Sequence, residues 1–283
     1  MLFVPPQGGG MEIVMIYEKI YLLPGNEDAY LETYVADRLP CNTPKALLVI
    51  PGGGYGGVCS DREGEPIAQA FMPYGFNCFV LHYSVAGKRI FPSQLIEASA
   101  AVKYIKDNAE RYNINPDKVF AIGFSAGGHL TGTLGTLWHR REVYDVLDMP
   151  FGYNRPTGVM LIYPVITGNP AFSHAGSFMN LLGTDEPSAD ALSEVSLEKQ
   201  VDERSSPAFL VHTANDEVVK VQNSLLMAEA YAAAGLPFEL HIYPDSPHGM
   251  ALGNEITYCG NEKWNRQSLA QWVKAAVLWA DTF

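Results

Sequence analysis

The chain has 283 residues, 47% of them hydrophobic and 18% charged. That length and balance suit a single α/β domain with a large core and exclude a disordered or repeat protein. Nineteen Lys and Arg against 31 Asp and Glu give a formal net charge of −12, which repels phosphate backbones and anionic lipid surfaces, so neither nucleic acid nor a membrane is an expected partner.

In chain order, residues 1–14, MLFVPPQGGGMEIV, lack both a cationic head and a long apolar run. They read as an N-terminal extension rather than a secretory signal. The four cysteines, Cys41, Cys59, Cys78 and Cys259, are widely spaced with no histidine at ligand spacing. Structural zinc is therefore disfavoured, and the expected compartment is a reducing cytoplasm. No segment has the length of apolar residues a bilayer span requires.

Residues 15–283 read as one domain. Two short strands, Glu18 to Leu22 and Tyr30 to Ala36, flank Pro24-Gly25-Asn26 as a hairpin. An alternation then begins: strand 46–50, helix 66–72, strand 77–82, helix 92–112, strand 118–124, helix 125–138 and strand 158–165. After an irregular polar stretch come strand 208–213, helix 221–234, strand 238–243 and helix 263–279. Alternating strands and helices predict a mostly parallel sheet with helices on both faces, binding its ligand at the carboxyl ends of the strands. The irregular stretch, about 167–206, hangs from such an end and reads as a small cap over the site.

The first strand of the alternation runs into PGGGYGG, residues 51–57. Gly52, Gly54 and Gly57 match G-x-G-x-x-G, the dinucleotide fingerprint, but two requirements of that motif fail. A polar segment, Val58 to Pro66, follows the loop where a helix should open, and the strand ending at His82 carries no ribose-binding carboxylate.

A different chemistry is offered by KVFAIGFSAGGHL. Gly123-Phe124-Ser125-Ala126-Gly127 is G-x-S-x-G between a strand and a helix, where a tight turn exposes the serine hydroxyl above the sheet. Such a serine needs a histidine to take its proton and a carboxylate to fix that histidine's tautomer. His248, in the PDSPHGM loop after the last strand, is the candidate base, and Asp216, in HTANDEVV after another strand, is the candidate acid. Glu217 and Asp245 are rivals for the acid. The remaining histidines have structural readings: His129 as a local packing residue, His82, His212 and His241 as strand residues, and His139 and His174 as surface or cap residues.

Together PGGGY, GFSAGG, HTANDEVV and PHG resemble the α/β-hydrolase esterase/lipase family. The similarity is greatest to the bacterial branch with acetyl-xylan and feruloyl esterases and hormone-sensitive-lipase-like carboxylesterases. The resemblance spans about residues 15–280 and implies an α/β-hydrolase fold. It also implies Ser125 as nucleophile, His248 as base, Asp216 as orienting acid, and an oxyanion hole of backbone N–H groups from Gly53, Gly54 and Ala126. One departure is Pro51, which stands where the family has a histidine before its three glycines. The expected activity is hydrolysis of short acyl esters, including acetylated sugars or xylo-oligosaccharides, on a small-molecule ester substrate with neither cofactor nor metal. An amidase, formamidase or peptidase on the same fold, or a catalytically silent binding protein, is the alternative.

Overall fold

Alternate side chains of a strand point to opposite faces of its sheet, and a strand buried on both faces must therefore be apolar throughout. Lys45–Ile50 obeys this rule: Ala46, Leu48 and Ile50 join one hydrophobic core, while Leu47 and Val49 join the other. The computed structural model describes residues 15–36 and 44–283. The expected N-terminal extension and Cys41 lie outside the described residues.

The strands are β1 (Lys19–Leu23), β2 (Asn26–Tyr34), β3 (Lys45–Ile50), β4 (Phe76–His82), β5 (Val119–Phe124), β6 (Val159–Ile162), β7 (Ala208–Thr213) and β8 (Phe238–Tyr243). They form one eight-stranded sheet in the order β1-β2-β4-β3-β5-β6-β7-β8. β1 and β2 make the expected hairpin, β2 pairs antiparallel with β4, and every pairing from β4 to β8 is parallel.

The helices are α1 (Ser60–Glu63), α2 (Glu65–Phe71), α3 (Ser93–Asp107), α4 (Ser125–Leu137), α5 (Arg141–Val146), α6 (Ala175–Leu182), α7 (Ala189–Glu194), α8 (Gln222–Ala233), α9 (Gln267–Ala270) and α10 (Trp272–Ala280). On one face, Ala98 and Ala101 of α3, Leu134 of α4 and Met227 of α8 pack on Leu48, Leu81, Leu161 and Leu210. On the other, Ile67 and Phe71 of α2 and Trp272 and Val277 of α10 cover Val49, Val80 and Phe124. Both faces are sealed, and ligands are left the strand ends.

Five expectations change in detail. β2 opens at Asn26, which was expected in the turn, and ends at Tyr34, and the helix expected over 92–112 ends at Asp107. The irregular stretch 167–206 contains α6, α7 and a 3-10 turn at Leu197–Lys199. The strand expected to reach Val165 stops at Ile162, because Tyr163 adopts a φ of +38° and turns the chain out of the sheet. The last helix starts later than expected and is interrupted at Gln271. Among the described residues, no helix is long and apolar enough to cross a membrane.

Candidate active site

The turn from β5 to α4 is tight enough to require its small residues. Ser125 has a φ of +52°, a left-handed conformation that costs a non-glycine residue energy and is found at functional turns. A Cβ on Gly123 would lie 2.1 Å from Thr131 Oγ1, and one on Gly127 would lie 2.2 Å from the Ile50 carbonyl oxygen. The hydroxyl of Ser125 is thereby presented at the N-terminus of α4, beside the end of β3.

Two residues from distant loops meet it. Nε2 of His248 is 2.9 Å from Ser125 Oγ, and Nδ1 of the same ring is 2.6 Å from Asp216 Oδ2. Asp216 is buried, and its Oδ1 accepts the N–H groups of Val218 and Val219, each at 2.9 Å. Burial alone would raise its pKa, but hydrogen bonding from His212 and His248 and from the Val219 backbone outweighs burial and holds it well below the usual carboxylate range. The rivals stand elsewhere. Glu217 is exposed, and Asp245 is engaged by Asn215 Nδ2 at 2.5 Å and Arg266 at 2.7 Å. A cleft of about 220 Å³ beside His248 is lined by Asn215, Glu217, Asp245 and Lys263.

The glycine loop is held from five directions. Tyr83 donates its hydroxyl proton to the Pro51 carbonyl at 2.9 Å, and Gly52 N–H donates to Glu63 Oε2 at 2.8 Å. Gly53 O accepts N–H groups from Gly56 and Gly57 across the turn. Asn180 of α6 donates to Gly54 O at 2.9 Å, and the Tyr55 hydroxyl bonds Nδ1 of His129 at 2.8 Å. These contacts anchor the loop without the histidine that Pro51 replaces. Among the described residues, the N–H groups of Gly53, Gly54 and Ala126 have no hydrogen-bond acceptor. The next helix begins only at Ser60, so the loop lacks the helix N-terminus on which a pyrophosphate would sit.

His129 does more than pack locally. Its Nε2–H donates to the Val195 carbonyl at 2.8 Å, which leaves Nδ1 to accept from Tyr55. The imidazole ties the glycine loop to the 167–206 stretch, and burial pushes its pKa down to about 4. His212 is buried between Ser224 Oγ and the Val219 carbonyl, directly under Asp216.

Three further residues stand at this site. His174, expected on the surface or in the cap, bonds Ser177 Oγ through Nδ1 at 2.8 Å, and its Cε1 would be 4.0 Å from a Cβ on Gly54. Burial, with the nearby His248, pushes its pKa below the ordinary imidazole value. Glu63 and Tyr163 are buried and hydrogen-bonded to each other at 2.8 Å. The sequence hinted at His174 through the length of the 167–206 stretch and its attachment to a strand's carboxyl end, and gave no sign of Glu63 or Tyr163. Among the described residues, no group of three or more His, Cys, Asp or Glu side chains is arranged to hold a metal ion.

A hydroxyl bonded to an oriented imidazole, with unpaired N–H groups at its side, can attack a carbonyl carbon and hold the oxygen that becomes negative. The chain is 38% identical over 251 residues to endo-1,4-beta-xylanase B of Butyrivibrio fibrisolvens, covering 86% of this chain and 37% of that protein. It is 30% identical over 235 residues to acetylxylan esterase of Xylanibacter ruminicola, covering 82% and 45%. It thus spans less than half the length of these two curated relatives. The structure of an acetyl ester-xyloside bifunctional hydrolase from Caldicellulosiruptor lactoaceticus superposes with a TM-score of 0.78 at 29% identity, over 97% of this chain and 98% of that one. The BD-FAE family model matches residues 31–231, and the chain belongs to this family of α/β-hydrolase esterases.

Proposed function

We propose that the chain is a serine-dependent carboxylic-ester hydrolase acting on short acyl esters, with acetylated sugars or xylo-oligosaccharides as the substrate class. The hydrogen-bonded series Ser125–His248–Asp216 carries the reading. His248 takes the hydroxyl proton as Ser125 attacks the ester carbonyl. Asp216 keeps the imidazole in the tautomer that can accept it and stabilises the imidazolium formed. The N–H groups of Gly53, Gly54 and Ala126 receive the tetrahedral oxyanion. The imidazolium protonates the leaving alcohol, and water repeats the sequence on the acyl-enzyme to release the acid. The 167–206 stretch serves as a cap, with α6 over the glycine loop.

The sugar-ester part of the proposal draws on the names of the relatives, an acetylxylan esterase and an acetyl ester-xyloside hydrolase. The test is a panel of p-nitrophenyl acetate, acetylated xylose and the matching amides, assayed with wild type and Ser125→Ala. The expected result is hydrolysis of the esters, with a loss on the order of 10⁶ in kcat for the variant when chemistry limits the rate. A phosphonate ester should add to Ser125, seen by mass spectrometry. A variant keeping a tenth of the activity would remove Ser125 from the mechanism.

A further inference from the structure

We propose that Glu63 is a positioning residue of this reaction: one buried carboxylate that holds the glycine loop and the histidine loop in register with each other. The inference rests on the ester-hydrolase reading above.

Glu63 closes α1 and is 2% exposed, a burial that an acidic side chain tolerates only when its oxygens are satisfied. Oε2 accepts the Gly52 N–H at 2.8 Å, immediately before the proposed donors Gly53 and Gly54. Oε1 accepts the Tyr163 hydroxyl proton at 2.8 Å, and the Tyr163 oxygen in turn accepts the Ala251 N–H at 3.0 Å, in the loop that carries His248. The Tyr163 ring also meets the His248 imidazole edge to face, with centroids 5.0 Å apart. At Gly52 the fit leaves no space: a Cβ would lie 2.8 Å from Glu63 Oε2 and 3.0 Å from Ser125 Cβ.

The neighbouring Arg62 reaches the same loop by a second route. Its guanidinium lies 3.9 Å from Glu63 Oε1 and 4.7 Å above the Trp264 ring, and Trp264 Nε1 donates to the Pro247 carbonyl at 3.2 Å. A Cβ on Gly249 would come within 3.2 Å of the same guanidinium. Arg62 thus reaches Pro247 through Trp264, and a side chain at Gly249 would crowd its guanidinium.

Hydrogen-bond bookkeeping explains why this position takes a carboxylate and not an amide. The Gly52 N–H and the Tyr163 O–H both need an acceptor, and the Tyr163 oxygen is already taken by Ala251. An ionised carboxylate offers acceptors on both sides, whereas glutamine would set its NH₂ against one of the two donors. Burial pushes the Glu63 carboxyl above its usual range, and the neighbouring Arg62, the Gly52 N–H and the Tyr163 hydroxyl oppose that push. His248 is faced by Asp216 at Nδ1, by Glu63 behind Tyr163, by His174 from the cap and by Arg62 beneath Gly249, with Glu217, Asp245 and Lys263 in the adjoining cleft.

The test uses Glu63→Gln, Tyr163→Phe and the double variant, assayed on p-nitrophenyl acetate with thermal melts alongside. For Glu63→Gln the expected loss in kcat is roughly 10- to 100-fold with KM within about threefold, the signature of a contribution realised in the transition state. Phosphonate labelling of Ser125 should slow in parallel. Tyr163→Phe should lose roughly 3- to 10-fold in kcat, and the double variant no more than Glu63→Gln alone, because the two act as one unit.

Wild-type kcat in either single variant overturns the proposal. So does a loss accompanied by unslowed phosphonate labelling of Ser125 and additive effects, which would make Glu63 a stability residue only. If Glu63→Gln does not fold, Tyr163→Phe decides by itself, since it removes a single hydroxyl. A wild type without Ser125-dependent ester hydrolysis would overturn the hydrolase reading and this inference with it. An active wild type matched by both variants would overturn this inference alone.

Discussion

Nδ1 of His248 stands 2.6 Å from Oδ2 of Asp216, while Oδ1 of that carboxylate is pinned by two backbone N–H groups. The ring proton is therefore kept on Nδ1, and Nε2 faces Ser125 as an acceptor. Asparagine at 216 could turn its NH₂ towards the ring and favour the opposite tautomer. Asp216→Asn should accordingly cost on the order of 10³ to 10⁴ in kcat. Asp245→Asn, at a side chain engaged by Asn215 and Arg266 and not by the ring, should stay within about threefold. Steady-state rates on p-nitrophenyl acetate check the ranking, and the reverse order would hand the role to Asp245.

The pH dependence of stability has a defined sign at His129. Its folded-state pKa is pushed down to about 4 by burial, against about 6.5 for an unfolded imidazole. Between those values the unfolded chain binds a proton that the folded chain does not. The stability is complete above about pH 6.5 and declines as pH falls towards about 4, by at most about 3 kcal/mol. Melting temperatures measured between about pH 4.5 and 7 should fall less steeply for His129→Gln than for wild type. The lowered His82, His139 and His174 have the same sign but are present in both proteins, so the difference isolates His129. Parallel slopes would show that its protonation is not linked to folding.

Short acyl groups should be preferred. The wall above Gly54 presents His174 and Ser177, with Asn180 beside it on α6. An alkyl chain reaching this wall would cover polar atoms without returning hydrogen bonds, at roughly 1–3 kcal/mol for each one left unpaired. The kcat/KM should fall steeply from p-nitrophenyl acetate to the decanoate, and His174→Leu should narrow the gap. Faster turnover of the decanoate by wild type would remove this wall from substrate selection.

The regular elements were legible because local pattern determined them. The strands β7 and β8 have the same ends in sequence and in structure, since each is bounded by turn residues that stop a strand. The Gly-x-Ser-x-Gly turn was legible for the same reason, as steric demand leaves few residue choices there. Glu63 was not. SDREGEP reads as a polar, glycine-broken segment, and what makes its glutamate important is a tyrosine 100 positions away and a glycine loop folded over it. Tyr163 resembled a strand residue until its backbone turned out of the sheet. α6 was hidden because it is only eight residues long, carries Gly176 in its first turn and has no side-chain cap at His174 to mark its start.

The glycines of residues 52–57 offer a final discrimination. A dinucleotide loop of the form Gly52-x-Gly54-x-x-Gly57 would need Gly57 for close helix–strand packing. In the structure a Cβ on Gly57 would meet nothing within 4 Å, whereas one on Gly53, with a φ of +130°, would lie 2.2 Å from the Gly57 carbonyl oxygen. Gly57→Ala should therefore change stability by less than about 1 kcal/mol and leave ester hydrolysis within about twofold. Gly53→Ala must displace the turn that presents the proposed N–H donors, and its kcat should fall by roughly 10² to 10³. NAD, NADP and ATP should produce no thermal shift in either variant or in wild type. Saturable nucleotide binding abolished by Gly57→Ala, together with full esterase activity in Gly53→Ala, would assign the loop to a phosphate instead of an oxyanion.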